Sequence, residues 1–158
     1  MKYSNNEVAT YLFCAPLLET KTKALTIIEW NELVKILADR KLGPEVLLTF
    51  NDRELLELLE PLKKKAQKER IINKISQRRQ LGIAMYELEE LTNQGYYLIF
   101  RSQMPKRLKK LEAKLRPAFF YAVGDNRILN SDFTLGVVGS RNATKEELSV
   151  VESICTEA

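Results

Sequence analysis

The chain contains no histidine among its 158 residues. Histidine is the usual general base near neutral pH and a common zinc ligand, so its absence removes the most frequent routes to acid–base and zinc chemistry. Cysteine is also scarce, with only Cys14 and Cys155, both in apolar helical patterns. We therefore expect two buried free thiols in a reducing compartment rather than a disulfide or a metal site.

Long hydrophobic runs are missing as well. No apolar stretch approaches the roughly 18 residues needed to span a bilayer, and residues 1–6 lack the pattern of a secretory signal. Hydrophobic residues make up 45% and charged residues 29% of the chain, as in ordinary globular proteins. The sequence therefore predicts a cytoplasmic protein with no membrane partner, built from one domain or two small ones.

Positive charge is unevenly distributed, although the formal net charge is only +4. The first basic block, residues 61–79, holds eight Lys or Arg residues against Glu69 alone. The second basic block, residues 101–116, holds seven against Glu112 alone. Two such blocks in a nearly balanced chain indicate a polyanionic partner. The alternative is that each block is simply the solvated face of a helix.

The first 94 residues follow a helical pattern and predict a helical N-terminal module. Pro16 should end the first helix, and a second begins after Leu25-Thr26 with Trp30 in the core. Gly43-Pro44 closes that helix. Further helices are expected over residues 44–50 and 51–59, and residues 61–93 should form one or two more, with Gly95 ending the last.

Residues 95–158 change to an α/β pattern and predict a second domain. Strands are expected at 96–100, 117–124 and 133–138. A basic helix is expected over 105–115, with Leu108, Leu111 and Leu115 facing inward, and another follows Thr144. This order predicts a mostly parallel sheet. Because such a sheet needs more strands and helices, we expect the chain to be a truncated portion of a longer protein.

The turn at Gly139-Ser140-Arg141 is the candidate binding site. It joins a short apolar strand to a helix that begins with a Thr144–Glu147 capping-box pattern. A helix N-terminus offers free N–H groups to an anion, and a guanidinium suits phosphate. The alternative is a strand-turn-helix without a ligand. Neither the Walker pattern nor the Gly-x-Gly-x-x-Gly pattern is present.

Several ordered segments resemble the DprA/Smf family of DNA-processing proteins. The first is a segment with Leu-Thr, Glu-Trp and Leu at residues 25–33, and the second is a glycine followed by a strand at 95–99. A Pro-x-x-Leu turn lies at 105–108 and a Pro…Tyr-x-x-Gly strand at 117–124. The last is the Val-Gly-Ser-Arg…Ala-Thr motif at 137–144. The resemblance covers nearly the whole chain. One departure is Met104, which stands where the family usually has tyrosine.

The resemblance implies a helical module joined to a Rossmann-like domain, and a protein that is not an enzyme and needs no cofactor. It implies binding of single-stranded DNA during transformation or recombination, protection of that DNA, and its transfer to a RecA-type recombinase. Gly139, Ser140 and Arg141 would hold DNA phosphates. The surfaces for a homodimer and for the recombinase are expected beyond Ala158.

Two other functions remain open from the residues alone. One is a nucleotide-binding Rossmann-like protein, for which the available carboxylates are Asp125, Asp132, Glu146 and Glu147. None of them has a partner base at recognisable spacing. The other is a protein-interaction role for the helical module, residues 1–94.

Overall fold

The computed structural model describes residues 3–17, 23–132, 136, 139 and 142–157. The chain divides into two compact units, Met1–Asn126, called here the helical unit, and Arg127–Ala158, the C-terminal unit. The domain boundary predicted after residue 94 stays a prediction. No helix within the described ranges is long and apolar enough to cross a membrane.

The described residues form seven α-helices and two β-strands. The helices are α1 Asn5–Cys14, α2 Ile27–Asp39, α3 Asp52–Leu58, α4 Lys65–Ile75, α5 Leu81–Asn93, α6 Lys106–Lys109 and α7 Lys145–Glu157. The strands are β1 Tyr96–Phe100 and β2 Phe119–Val123. Short 3-10 helices cover Pro44–Leu48, Ser76–Gln80, Ala113–Leu115 and Asn126–Asn130.

The first three helices begin at capping boxes, which set their starts from the local sequence. In each box a hydroxyl or amide side chain caps the helix, and a glutamate three residues later accepts the N–H of the capping residue. The pairs are Ser4 with Glu7, Thr26 with Glu29 and Asn51 with Glu54. The helices predicted to begin after residues 26 and 51 are therefore confirmed.

A continuous hydrophobic core joins helices α1–α5 to strand β1. Trp30 is 2% exposed within it, as predicted for a core residue. Leu98 and Phe100 of β1 belong to the same core as the helices, and Phe119 of β2 packs against its edge. The strand that opens the predicted α/β segment thus completes the helical core.

The two described strands form an antiparallel pair, so they do not show the mostly parallel sheet that was expected. Tyr96 lies opposite Val123, and Phe100 lies opposite Phe119. Parallel neighbours need a crossover, usually a full α-helix, whereas the connection here contains only the four-residue α6 and a 3-10 turn. The α/β class fits broadly. The strand predicted at 133–138 falls, apart from Gly136, outside the described residues.

The basic helix predicted over 105–115 is wrong in length. Helix α6 ends at Lys109, and only the 3-10 turn Ala113–Leu115 follows. Leu111 is 37% exposed and Leu115 57% exposed, so neither faces inward. Without apolar burial, the like charges spaced three and four residues apart in this segment leave a long helix unstable.

Helix α7 begins as predicted, with a capping box in which the Thr144 N–H donates to Glu147 Oε2 at 2.7 Å. Leu148 and Ile154 of this helix are exposed. Both cysteines are free, as expected. Cys14 is largely packed away, and burial raises the pKa of its thiol. Cys155 is exposed, so its predicted burial is wrong.

Candidate nucleic-acid interface

Of the predicted phosphate-binding turn, the structure describes only Gly139. That residue is exposed, and a Cβ added to it would meet no described atom within 4 Å. No described residue therefore blocks the Gly139 backbone from an approaching group. Ser140 and Arg141 lie outside the described residues. The following helix, α7, carries Glu146 and Glu147 in its first turn. The partial positive charge at its N-terminus is therefore already offset by negative side chains.

The carboxylate of Glu29 both caps the start of α2 and binds Arg70. Glu29 accepts hydrogen bonds from the Thr26 N–H and hydroxyl, both at 2.8 Å. It also accepts hydrogen bonds from Arg70 Nε at 2.6 Å and from Arg70 Nη2 at 2.9 Å. Burial acts to raise its pKa, but the bonds from Arg70 and Thr26 outweigh burial and hold the pKa of Glu29 below its usual value. A carboxylate with these donors ties α4 to α2.

Further along, α2 contacts both basic blocks. Gln67 of α4 donates a hydrogen bond to Glu32. Asn31 donates through Nδ2 to the carbonyl of Ala113 at 2.6 Å. At about 100° per residue, Glu29 and Glu32 lie on one flank of the exposed face of α2, and Asn31 lies on the other. The fold therefore brings the two basic blocks to opposite flanks of a single helix.

The cations of these blocks divide into anchored and solvent-facing groups. Arg101 is anchored, since its Nε donates to the Pro117 carbonyl at 2.9 Å, and burial lowers its pKa. Lys65 and Lys114 form exposed ion pairs with neighbouring glutamates, at 3.9 and 2.7 Å. Such exposed pairs are weak. Among the solvent-facing cations of the two blocks, Lys63, Lys64, Lys68 and Lys110 form no ion pair with another described residue.

Sequence reasoning missed Lys74, which belongs to the first basic block by charge but to the core by position. It is 2% exposed, and its ammonium has no hydrogen-bond partner among the described residues. Burial lowers the pKa of Lys74, while the nearby Cys14 thiol opposes that shift. A signal was available, because Ile71 and Ile75 place residue 74 on the buried stripe of α4.

Asp125, Asp132, Glu146 and Glu147 are all exposed. In the described part of the chain, no three His, Cys, Asp or Glu residues are placed to hold a metal ion. A groove of ≈ 400 Å³ does lie between α2 and the start of α4, where Lys35, Lys63 and Lys64 line it.

Comparison with known proteins finds a similarity for the second part of the chain. Residues 95–158 match the family model of DNA recombination-mediator protein A. No curated protein and no solved structure shows a significant match to the chain. The matched segment contains four of the five motifs that suggested the DprA/Smf resemblance, including the Gly139-Ser140-Arg141 turn, so the match supports the resemblance over residues 95–158. The motif at residues 25–33 lies outside the matched segment. Residues 95–158 are thus similar to the DNA recombination-mediator protein A family.

Proposed function

We propose that this chain is a non-enzymatic, single-stranded DNA binding protein of the DNA-processing type. It holds the sugar-phosphate backbone at Gly139, Ser140 and Arg141, protects incoming or recombining strands and loads a RecA-type recombinase onto them. The proposal places it in the cytoplasm, without a cofactor and with self-association as a homodimer. It also gives residues 133–138 the role of a parallel strand in a Rossmann-like sheet.

The observation that carries the proposal is the family match over residues 95–158, which points to DNA processing during recombination. Two structural features support it. No described residue blocks the backbone of Gly139, and exposed lysines flank α2 on the surface of the helical unit. Phosphate binding by such groups needs no catalytic residue, since the backbone charge alone supplies much of the affinity.

The test is a fluorescence-anisotropy titration of a labelled single-stranded oligonucleotide at several salt concentrations. We expect the affinity to fall steeply with salt, because each phosphate contact releases a counterion. Arg141→Ala should weaken binding about fivefold near 0.1 M salt, the contribution of roughly one phosphate contact. Arg53→Ala, a change at an exposed arginine of α3 outside both basic blocks, serves as the matched control.

Three outcomes would overturn the proposal: salt-insensitive binding, equal effects of Arg141→Ala and Arg53→Ala, or thermal stabilisation by a mononucleotide but not by an oligonucleotide. The last result would favour the nucleotide-binding function instead.

A further inference from the structure

The first turn of α4 carries lysines where a helix ordinarily carries acids. Lys64 occupies the N-cap position and Lys65 the first helical position, with no acidic residue in the turn and no capping side chain. The N-terminal end of a helix has partial positive charge, so these lysines oppose it. Helices α1, α2 and α3 each place glutamate in their first turn. A local conflict of this kind is typical of a functional surface.

These lysines border the exposed face of α2. The groove of ≈ 400 Å³ beside that helix is lined by three lysines, Lys35, Lys63 and Lys64, and by two acids, Glu32 and Asp39. Glu32 already accepts a hydrogen bond from Gln67. Lys68 lies one turn further along α4, so the lysines outnumber the carboxylates along this flank.

The other flank of α2 is also basic. The turn Ala113–Leu115 is bonded to Asn31 and carries Lys114, while Lys110 lies just before it, exposed. A helix with its side chains is about 10 Å wide, so a flexible strand of a few nucleotides can reach both flanks. Ile28, 61% exposed, lies between them on α2.

From this arrangement we propose a second contact surface for the phosphate backbone of single-stranded nucleic acid, separate from the turn at residues 139–141. This lysine track consists of Lys35, Lys63, Lys64 and Lys68 on one flank of α2 and Lys110 and Lys114 on the other. The inference rests on the proposed function, because it assigns a further part of the same ligand to the helical unit.

The experiment removes three charges from one flank with Lys63→Gln, Lys64→Gln and Lys68→Gln in one protein. Labelled oligonucleotide binding is then measured between 50 and 200 mM salt. If each lysine meets one phosphate, the slope of log affinity against log salt falls by about 2, and affinity at 0.1 M salt drops about 100-fold. Matched control changes at exposed sites of the same unit, Lys23→Gln, Lys41→Gln and Arg53→Gln, remove the same charge and should alter the slope little.

The track is refuted if the lysine variant behaves like its charge-matched control while Arg141→Ala still weakens binding. Failure of the proposed function looks different, because then the unaltered protein binds no oligonucleotide. Binding to anionic lipid vesicles with none to oligonucleotide would likewise reject the track in favour of a membrane surface.

Lysine acetylation followed by mass spectrometry gives a second measurement on the unaltered protein. We expect bound oligonucleotide to reduce labelling of Lys63, Lys64 and Lys68 several-fold, with no change at Lys23. Lys74, which is buried, should stay unlabelled in both states and shows that the fold is intact. Equal labelling with and without oligonucleotide would overturn the inference.

Discussion

At the scale of single residues, Lys74 places an ammonium group inside the core of the helical unit without a described partner. Lys74→Met keeps the length of the side chain and removes the desolvated charge. We expect unfolding free energy to rise by about 1–3 kcal/mol, the usual cost of an unsatisfied buried polar group. Chemical denaturation at pH 7 measures it, and Lys68→Met on the same helix is the control.

The pH dependence gives a separate check on Lys74. Burial lowers its folded pKa below the ordinary 10.5, so the unfolded chain binds the proton more tightly. Stability of the unaltered protein therefore rises as pH increases from the folded pKa towards 10.5. The advantage of Lys74→Met should shrink over that range. A variant that is less stable than the parent at pH 7 would mean that the ammonium has a partner.

At the scale of elements, the Glu29–Arg70 pair docks α4 onto the start of α2. Glu29→Gln preserves the capping function, because a capping box accepts glutamine, but it loses the charge that faces Arg70. The Arg70 side chain is 46% exposed, so solvent screening limits the loss to about 1–2 kcal/mol of unfolding free energy. Urea denaturation measures this loss.

The control for that prediction is Glu54→Gln, a change in the capping box of α3, which has no arginine bonded to its glutamate in the described residues. It should shift stability by less than about 0.5 kcal/mol. The folded pKa of Glu29 lies below its ordinary 4.5, so its stabilisation is complete above that pH. The gap between parent and Glu29→Gln should close as pH falls further. A gap that widens in acid would contradict the assigned pair.

The elements also show where sequence reasoning succeeds. Starts at Thr26 and Asn51 were predictable because a capping box is a local pattern of four residues. The length of α6 was not, because that helix depended on burial of Leu111 and Leu115, which the fold leaves exposed. Strand β1 was predicted correctly, but its antiparallel partner depends on the connection between strands, which composition does not specify.

The candidate site was predictable to a smaller extent. The two basic blocks were visible as runs of charge, yet their meeting on either side of α2 arises from contacts of Glu29, Asn31 and Glu32 with distant residues. Charge alone also could not separate the buried Lys74 from the exposed Lys63. Tertiary packing decides both, and it involves residues more than 30 positions apart.

At the scale of the whole molecule, the hydrophobic core determines how far the chain can be shortened without loss of stability. A chain ending at Asn126 keeps Leu98 and Phe100 in place, 3% and 4% exposed, and should fold with nearly the thermal midpoint that the helical unit has in the full chain. A chain ending at residue 94 lacks both side chains. Each such loss costs about 2–5 kcal/mol, so the two together remove a large part of the roughly 5–15 kcal/mol by which a typical domain is stable.

Circular dichroism melting of the two shortened proteins measures this difference. The chain of residues 1–126 should unfold cooperatively, and the chain of residues 1–94 should melt at much lower temperature or without a clear transition. Equal melting of both would instead support the domain boundary predicted after residue 94 and would remove β1 from the set of residues on which the helices depend.

The Glu29 carboxylate both caps α2 and binds Arg70 of α4. This double role should constrain how the two positions evolve. Replacing Glu29 by most residues disturbs the helix cap and also leaves Arg70 without its ion-pair partner. A substitution at either position therefore lowers stability less when the other position changes too. Among relatives that possess this helical unit, positions 29 and 70 should therefore covary, and the pair can serve to align the N-terminal parts of distant homologues.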